Sequence, residues 1–277
     1  MPHVRNTHDG LTRRQFALGG GLLFGSVLIG RRAAAQAAPA SAGPPAPALV
    51  EDLVAANRIL ADLGVVDGYG HVSARHDRDP NRYLLARWRA PELIVADDIM
   101  EYDLDSIPVD PQGRRMYSER FIHGEIYKAR ADVLAVVHNH SPSVIPFGVS
   151  GAPLRPLYHM SAFLGVGVPV FDIRQAAGGP TDMLVRDGAL GRALAQTLGP
   201  RPVALMRGHG AVVVGPSLPL AVFRSVYTEI NARLQAQAMA LGSVTYLDPE
   251  EARKADATIA GTVARPWELW KRKAMVK

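Results

Sequence analysis

The hydrophobic pattern changes period several times along the chain, and each change predicts an element. Leu49, Leu53, Ala56, Ile59, Leu60 and Leu63 recur at helical spacing until Gly64 stops them, which predicts a helix over 49–63. Short apolar runs at 83–86, 93–95, 133–137 and 168–172 predict strands, and the runs 203–206 and 211–214 predict a strand pair closed by a glycine-rich turn. Helices are predicted over 187–198, ended by Gly199 and Pro200, and over the long amphipathic stretch 218–241, with a shorter one in 142–149. Two glycines in 68–75 lead into a brief strand. Ser118 stands where a helix opening needs a cap, and Glu119 falls in the first turn, where the helix dipole favours an acid. The stretch 97–107 is acidic and broken, and its carboxylates fit solvated turns. Beyond 241 the chain is polar with occasional aromatics. Trp267 and Trp270 there either pack on a neighbouring subunit or end the domain.

The amino-terminal segment follows another logic. Arg13 and Arg14 precede an apolar, glycine-rich run from Phe16 to Ile29, and Ala33, Ala34 and Ala35 then offer small residues for cleavage. Residues 1–35 therefore read as a twin-arginine signal peptide, with the twin-arginine export machinery as its partner and the periplasm as destination. The apolar run is short and glycine-rich for a membrane span. Residues 36–48 are almost entirely alanine and proline with serine and glycine, a composition expected to stay disordered as a linker. The folded domain is expected over 49–277. Charge supports the same partition, because the first 37 residues hold five arginines against Asp9, leaving little of the net +5 for the body. A body so nearly neutral lacks the basic surplus that nucleic-acid binding requires, so no nucleic-acid partner is expected.

Chemistry concentrates at three histidines. Strand alternation puts His138 and His140 on one face, and His209 follows a second apolar run between Gly208 and Gly210. Three imidazoles leave a coordination position open, as a catalytic metal needs. With no cysteine in the chain, the ligands are nitrogen and oxygen, which suits a divalent metal: zinc first, with manganese, iron(II) or cobalt as alternatives. Gly68, Gly70, His71 and Ser73 read either as a plain turn or as an amide cradle with a serine donor. Glu119 and His123 lie one helical turn apart, a weaker hint of a second site.

Taken in order, Gly70-His71-Val72-Ser73, Ser118-Glu119 with His123 and Tyr127, His138-Asn139-His140 and Arg207-Gly208-His209-Gly210 make the chain resemble the class II aldolase and adducin-related family. The resemblance implies an α/β fold, a three-layer α/β/α sandwich around a mainly antiparallel sheet. It also implies His138, His140 and His209 as metal ligands, Glu119 as the acid/base, and a symmetric homo-oligomer, often a tetramer. Sugar-phosphate aldolases of the family carry Gly-Asn and Ser-Ser at the phosphate; here Gly70-His71 and Tyr117-Ser118 stand there instead. Where those aldolases offer a tyrosine from the next subunit, this chain reads Tyr158-His159, so His159 is a second catalytic candidate. The expected substrate is a non-phosphorylated carboxylate held by Gly70, His71, Ser73, Arg89, Ser118 and Arg120. The guanidinium forks of Arg89 and Arg120 match a carboxylate's two oxygens. Three functions follow: a metal-dependent lyase decarboxylating a hydroxyaromatic or keto acid, an aldolase or epimerase acting on a sugar or sugar phosphate, and a non-catalytic adducin-like assembly protein.

Overall fold

The computed structural model describes residues 38–276, so the proposed signal peptide lies outside the described residues. Within them, α1 (Pro47–Asp62) leads to β1 (His71–Arg75), β2 (Arg82–Ala86) and β3 (Ile99–Asp103). Next come α2 (Phe121–Ala129), β4 (Ala135–Asn139), α3 (Ile145–Val149), β5 (Val170–Phe171), α4 (Ile173–Ala177) and α5 (Gly188–Leu198). The strands β6 (Val203–Met206) and β7 (Gly210–Gly215) precede α6 (Leu218–Leu241), α7 (Pro249–Ala260) and α8 (Ala264–Met275).

The seven strands form one sheet in the order β3-β2-β1-β4-β7-β6-β5. Every neighbouring pair is antiparallel except β5 and β6, which run parallel, so the sheet is mixed but mainly antiparallel. Strand alternation distributes its side chains between two cores. Ala135, Val137, Ala211, Val213, Val203 and Leu205 join the cluster containing Leu53, Leu60, Val222 and Phe223 from α1 and α6. Val136, Val212, Val214, Ala204 and Met206 join the other, with Ile122, Ile126, Leu194 and Leu198 from α2 and α5. Burial on both faces explains why the central strands read as unbroken apolar runs. Each fully buried leucine or phenylalanine contributes about 1.5–3 kcal/mol to this arrangement.

Several sequence expectations need correction. Residues 93–95 are not a strand: Pro91–Leu93 forms a 3₁₀ turn, favoured by Pro91 in its first position. The acidic stretch 97–107 instead supplies β3, where Met100 and Tyr102 are buried on alternate positions and the acids point the other way. Asp98 is no solvated turn residue, because it is buried and bonds to Arg87, Arg89 and the Val95 N–H. The described part of the expected linker is held against the body. Glu101 receives the Ser41 hydroxyl and the Ala42 N–H, and Asp77 receives the Ala46 N–H. The polar carboxyl-terminal region forms α7, opened by a capping box between Asp248 and Glu251, and then α8. Trp267 and Trp270 pack against the core of their own chain.

Candidate metal centre and active site

The site forms where three strands end together. His138 is the next-to-last residue of β4, opposite His71 of β1 in the ladder, and His140 follows one residue beyond the strand. His209 occupies the turn between β6 and β7, whose register pairs Met206 with Gly210. Glycine is required there, since a Cβ on Gly210 would lie 2.0 Å from the Asn139 carbonyl oxygen. Gly70 has φ +92 and passes close to the His138 carbonyl, so it too brings one chain end against the histidine strand.

Glu119 reaches the same point from the opposite layer. It sits in a 3₁₀ turn, Ser118–Arg120, with φ −92 and ψ 18, ahead of α2 rather than inside it. No side chain caps α2, so Ser118 is not the expected cap. The kink also separates Glu119 from His123, which bonds to His71 and Ser73 instead of forming a second site with the glutamate.

One ligand atom from each of Glu119, His138, His140 and His209 falls within 4.8 Å of the others. Glu119 Oε2 is 3.5 Å from His138 Nε2 and 3.5 Å from His209 Nε2, while Oε1 accepts from the Val185 N–H at 3.0 Å. Carbonyls fix two tautomers. His138 Nδ1 faces the Ala211 oxygen at 3.2 Å and His209 Nδ1 faces the Met183 oxygen at 2.9 Å. A carbonyl only accepts, so both Nδ1 atoms carry the proton and both Nε2 atoms present lone pairs. His138 Nε2 is buried with no hydrogen-bond partner, and His209 Nε2 lies 3.0 Å from His140 Nε2. Buried lone pairs converging beside a carboxylate fit a divalent cation.

Burial alone would raise the Glu119 carboxyl, but His138 and His209 outweigh it and hold the group well below the usual carboxylate range. Burial and the neighbouring His138 and His209 lower His140 to about 4, which keeps it neutral as a ligand must be. For His209 burial is outweighed by Glu119, and its value rises.

Glu119, His138 and His140 form one side of a cavity of 560 Å³. Tyr69, Trp88, Tyr117 and Leu184 give it largely apolar walls, while His71, Arg89 and Ser118 supply polar edges together with the Gly70 backbone. Of the expected substrate residues, Gly70, His71, Arg89 and Ser118 thus line the cavity. Arg89 also donates to Asp98 at 2.9 Å.

Three expected residues do not line it. The Ser73 hydroxyl points into the α2 layer, toward His123 and Tyr127. Arg120 is engaged by the Ser106 and Tyr117 carbonyls at 2.9 and 3.1 Å and stacks on Phe121. His159 is exposed and opens a 3₁₀ helix, His159–Val166, whose Phe163 and Leu164 enter the α1/α6 core. Sequence reasoning did not find the aromatic walls or the Met183–Val185 segment. Trp88 flanked by arginines was a faint signal for one wall, and nothing local marks Leu184.

The family profile described as the class II aldolase and adducin N-terminal domain matches residues 51–236. Decarboxylase tropJ of Talaromyces stipitatus is 36% identical over 251 residues, covering 82% of this chain and 94% of that protein. The 3,4-dihydroxyphthalate decarboxylase of Arthrobacter keyseri is 34% identical over 209 residues, covering 69% of this chain and 79% of the relative. Among solved structures, an aldolase II superfamily protein from Pseudomonas syringae superposes with a TM-score of 0.70 at 24% identity, covering 84% of this chain and 94% of its own. The chain belongs to the class II aldolase and adducin family.

Proposed function

We propose that this protein is a zinc-dependent decarboxylase of a non-phosphorylated hydroxyaromatic acid. The observation that carries the reading is the set of three imidazoles and Glu119 beside an aromatic-walled cavity. Its similarity to two decarboxylases across most of the chain supports the choice of reaction. His138, His140 and His209 would hold the ion, with Glu119 beside them. When bound, the ion supplies a Lewis acid that draws electron density from the oxygens of a chelating substrate.

The chain's own residues do the rest. Tyr69, Trp88, Tyr117 and Leu184 exclude water from an aromatic ring, and Arg89 offers a cation to a carboxylate. Glu119 takes the phenolic proton and returns it to the ring carbon that bears the departing carboxylate. The carbon–carbon bond then breaks, its electron pair restores the aromatic ring and leaves the phenolic oxygen anionic, and carbon dioxide departs. That oxygen recovers a proton from solvent, so one proton is consumed per turnover. A scaffold has no use for four converging ligand groups, which argues against the assembly-protein reading.

The decisive experiment measures carbon dioxide release from dihydroxyphthalates, hydroxybenzoates and keto acids beside aldehyde release from sugar phosphates, using zinc-loaded protein. Release from a hydroxyaromatic acid alone is expected; sugar-phosphate cleavage with the acids untouched would replace this reading with the aldolase one. We further propose that residues 1–35 direct export to the periplasm and that the mature chain assembles as a homo-oligomer, of tetrameric size. Replacing Arg13 and Arg14 by lysine should leave precursor in the cytoplasm.

A further inference from the structure

A ladder of buried polar groups runs inward from the cavity, and the reaction described above does not use it. His71 and Ser73 share one face of β1 because they are two residues apart on a strand. His123 and Tyr127 share one face of α2 because they are four apart on a helix. The two faces meet. His71 Nδ1 lies 2.7 Å from His123 Nε2, Ser73 Oγ lies 2.6 Å from His123 Nδ1, and Ser73 Oγ lies 2.8 Å from the Tyr127 hydroxyl. All four side chains are buried.

Such a chain can run in either direction, and Tyr127 decides which. Among the described residues, Ser73 Oγ is the one hydrogen-bond partner its hydroxyl meets. If Ser73 donated to Tyr127, the phenolic proton would be buried without an acceptor. Tyr127 therefore donates to Ser73, and Ser73 donates to His123 Nδ1. His123, accepting there, carries its proton on Nε2 and donates to His71 Nδ1. His71 must then carry its own proton on Nε2. Among the described residues the only hydrogen bond of the His71 ring is the one at Nδ1, and the ring lines the cavity.

The geometry points to a one-way hydrogen-bond chain, from Tyr127 through Ser73 and His123 to His71, that locks His71 as an Nε2–H donor for the substrate's carboxylate. The choice of carboxylate rests on the reading that the cavity takes a hydroxyaromatic acid. In such a ligand the oxygens that chelate belong to the metal centre, and the carboxylate is the acceptor left for a neutral donor at the wall. Ser73, His123 and Tyr127 are positioning residues, acting through His71 without lining the cavity.

Two measurements test this on the zinc-loaded full chain. Nitrogen-15 NMR of histidine-labelled protein reads the His71 tautomer without any variant in the measured sample, its signals being assigned by their loss in His71→Gln. An Nε2-protonated ring is expected; an Nδ1-protonated ring overturns the chain. Calorimetry then compares 3,4-dihydroxybenzoate with catechol, which lacks the carboxylate. Loss of a hydrogen bond to a charged acceptor should weaken 3,4-dihydroxybenzoate about 10- to 100-fold in His71→Leu, which has no donor, with catechol little changed. Ser73→Ala and Tyr127→Phe should show the same carboxylate-selective loss in smaller measure. Equal losses for both ligands would reduce His71 to a packing role and overturn the proposal. Wild type that binds neither ligand defeats the functional reading and the carboxylate with it, while the tautomer still decides the chain.

Discussion

Two imidazole pairs lie within one small volume of this protein and solve opposite problems. His140 and His209 bring Nε2 atoms to 3.0 Å, and His71 and His123 bring ring nitrogens to 2.7 Å. What differs is what holds the other nitrogen. His209 spends its proton on the Met183 carbonyl, as His138 does on Ala211, so lone pairs converge and call for a cation. His123 receives from the Ser73 hydroxyl, so its remaining nitrogen is a donor and His71 accepts from it without any ion. Distance alone would not tell a ligand set from a hydrogen-bonded ladder. The remote partner of each ring does.

The largest effect expected from this contrast is on metal content. Protein loaded with zinc should carry about one ion per chain. His138→Ala or His209→Ala should bring that close to zero on elemental analysis, whereas His123→Asn should leave it unchanged. Equal metal content in all three variants would erase the distinction between the two pairs. Next is Glu119→Gln, expected to slow turnover about 10²- to 10⁴-fold. The amide keeps an oxygen for the Val185 N–H, so metal content and melting temperature should hold. Near-full activity in that variant would move the proton transfer to another group.

Smaller effects separate arginines that sequence treats alike. Arg89→Ala should raise KM by the equivalent of a lost charged hydrogen bond, about 1.5–3 kcal/mol, with little change in kcat. Arg120→Ala should leave KM alone and lower stability by about 1–3 kcal/mol, because the Ser106 and Tyr117 carbonyls lose their donor. Steady-state kinetics and thermal melts on the pair give the comparison, and a raised KM in Arg120→Ala would contradict its assignment to the fold.

The smallest effect concerns Asp98, a buried group satisfied by charge. Burial would raise its carboxyl, but Arg87, the Val95 N–H and Arg89 outweigh this and hold it below the usual range. A value depressed in the folded state contributes stability above the unfolded value of about 4 and loses it as pH falls toward the folded one. The melting-temperature gap between wild type and Asp98→Asn should therefore narrow as pH drops from about 6 to about 3. A gap independent of pH would mean that the carboxylate's charge adds nothing.

Much of this was visible in the residues themselves. The period of Leu218–Leu241 determined a helix along its whole length, and Ser217 caps it as a residue of that type should. Apolar runs on both sides of His209 determined a strand pair with a histidine in its turn. The separation of His138 from His140 determined a shared direction, because alternation is a property of the backbone. These are local facts, fixed by dihedral periods and glycine freedom. By contrast, β3 was hidden because Glu101 and Asp103 alternate with Met100 and Tyr102, a pattern that gains meaning only once one face has a core to meet. Arg89 and Arg120 have the same side-chain chemistry, and only their neighbours send one to the cavity and the other to carbonyls. Ser73 and His71 stand two apart on one strand, yet the α2 layer takes the serine while the cavity takes one nitrogen of the histidine. Sequence alone determined which groups could bind a metal or carry a proton. Where each lone pair and each proton points was decided by the carbonyl or hydroxyl that the folded chain places behind it, since an imidazole's two nitrogens become different only through their partners.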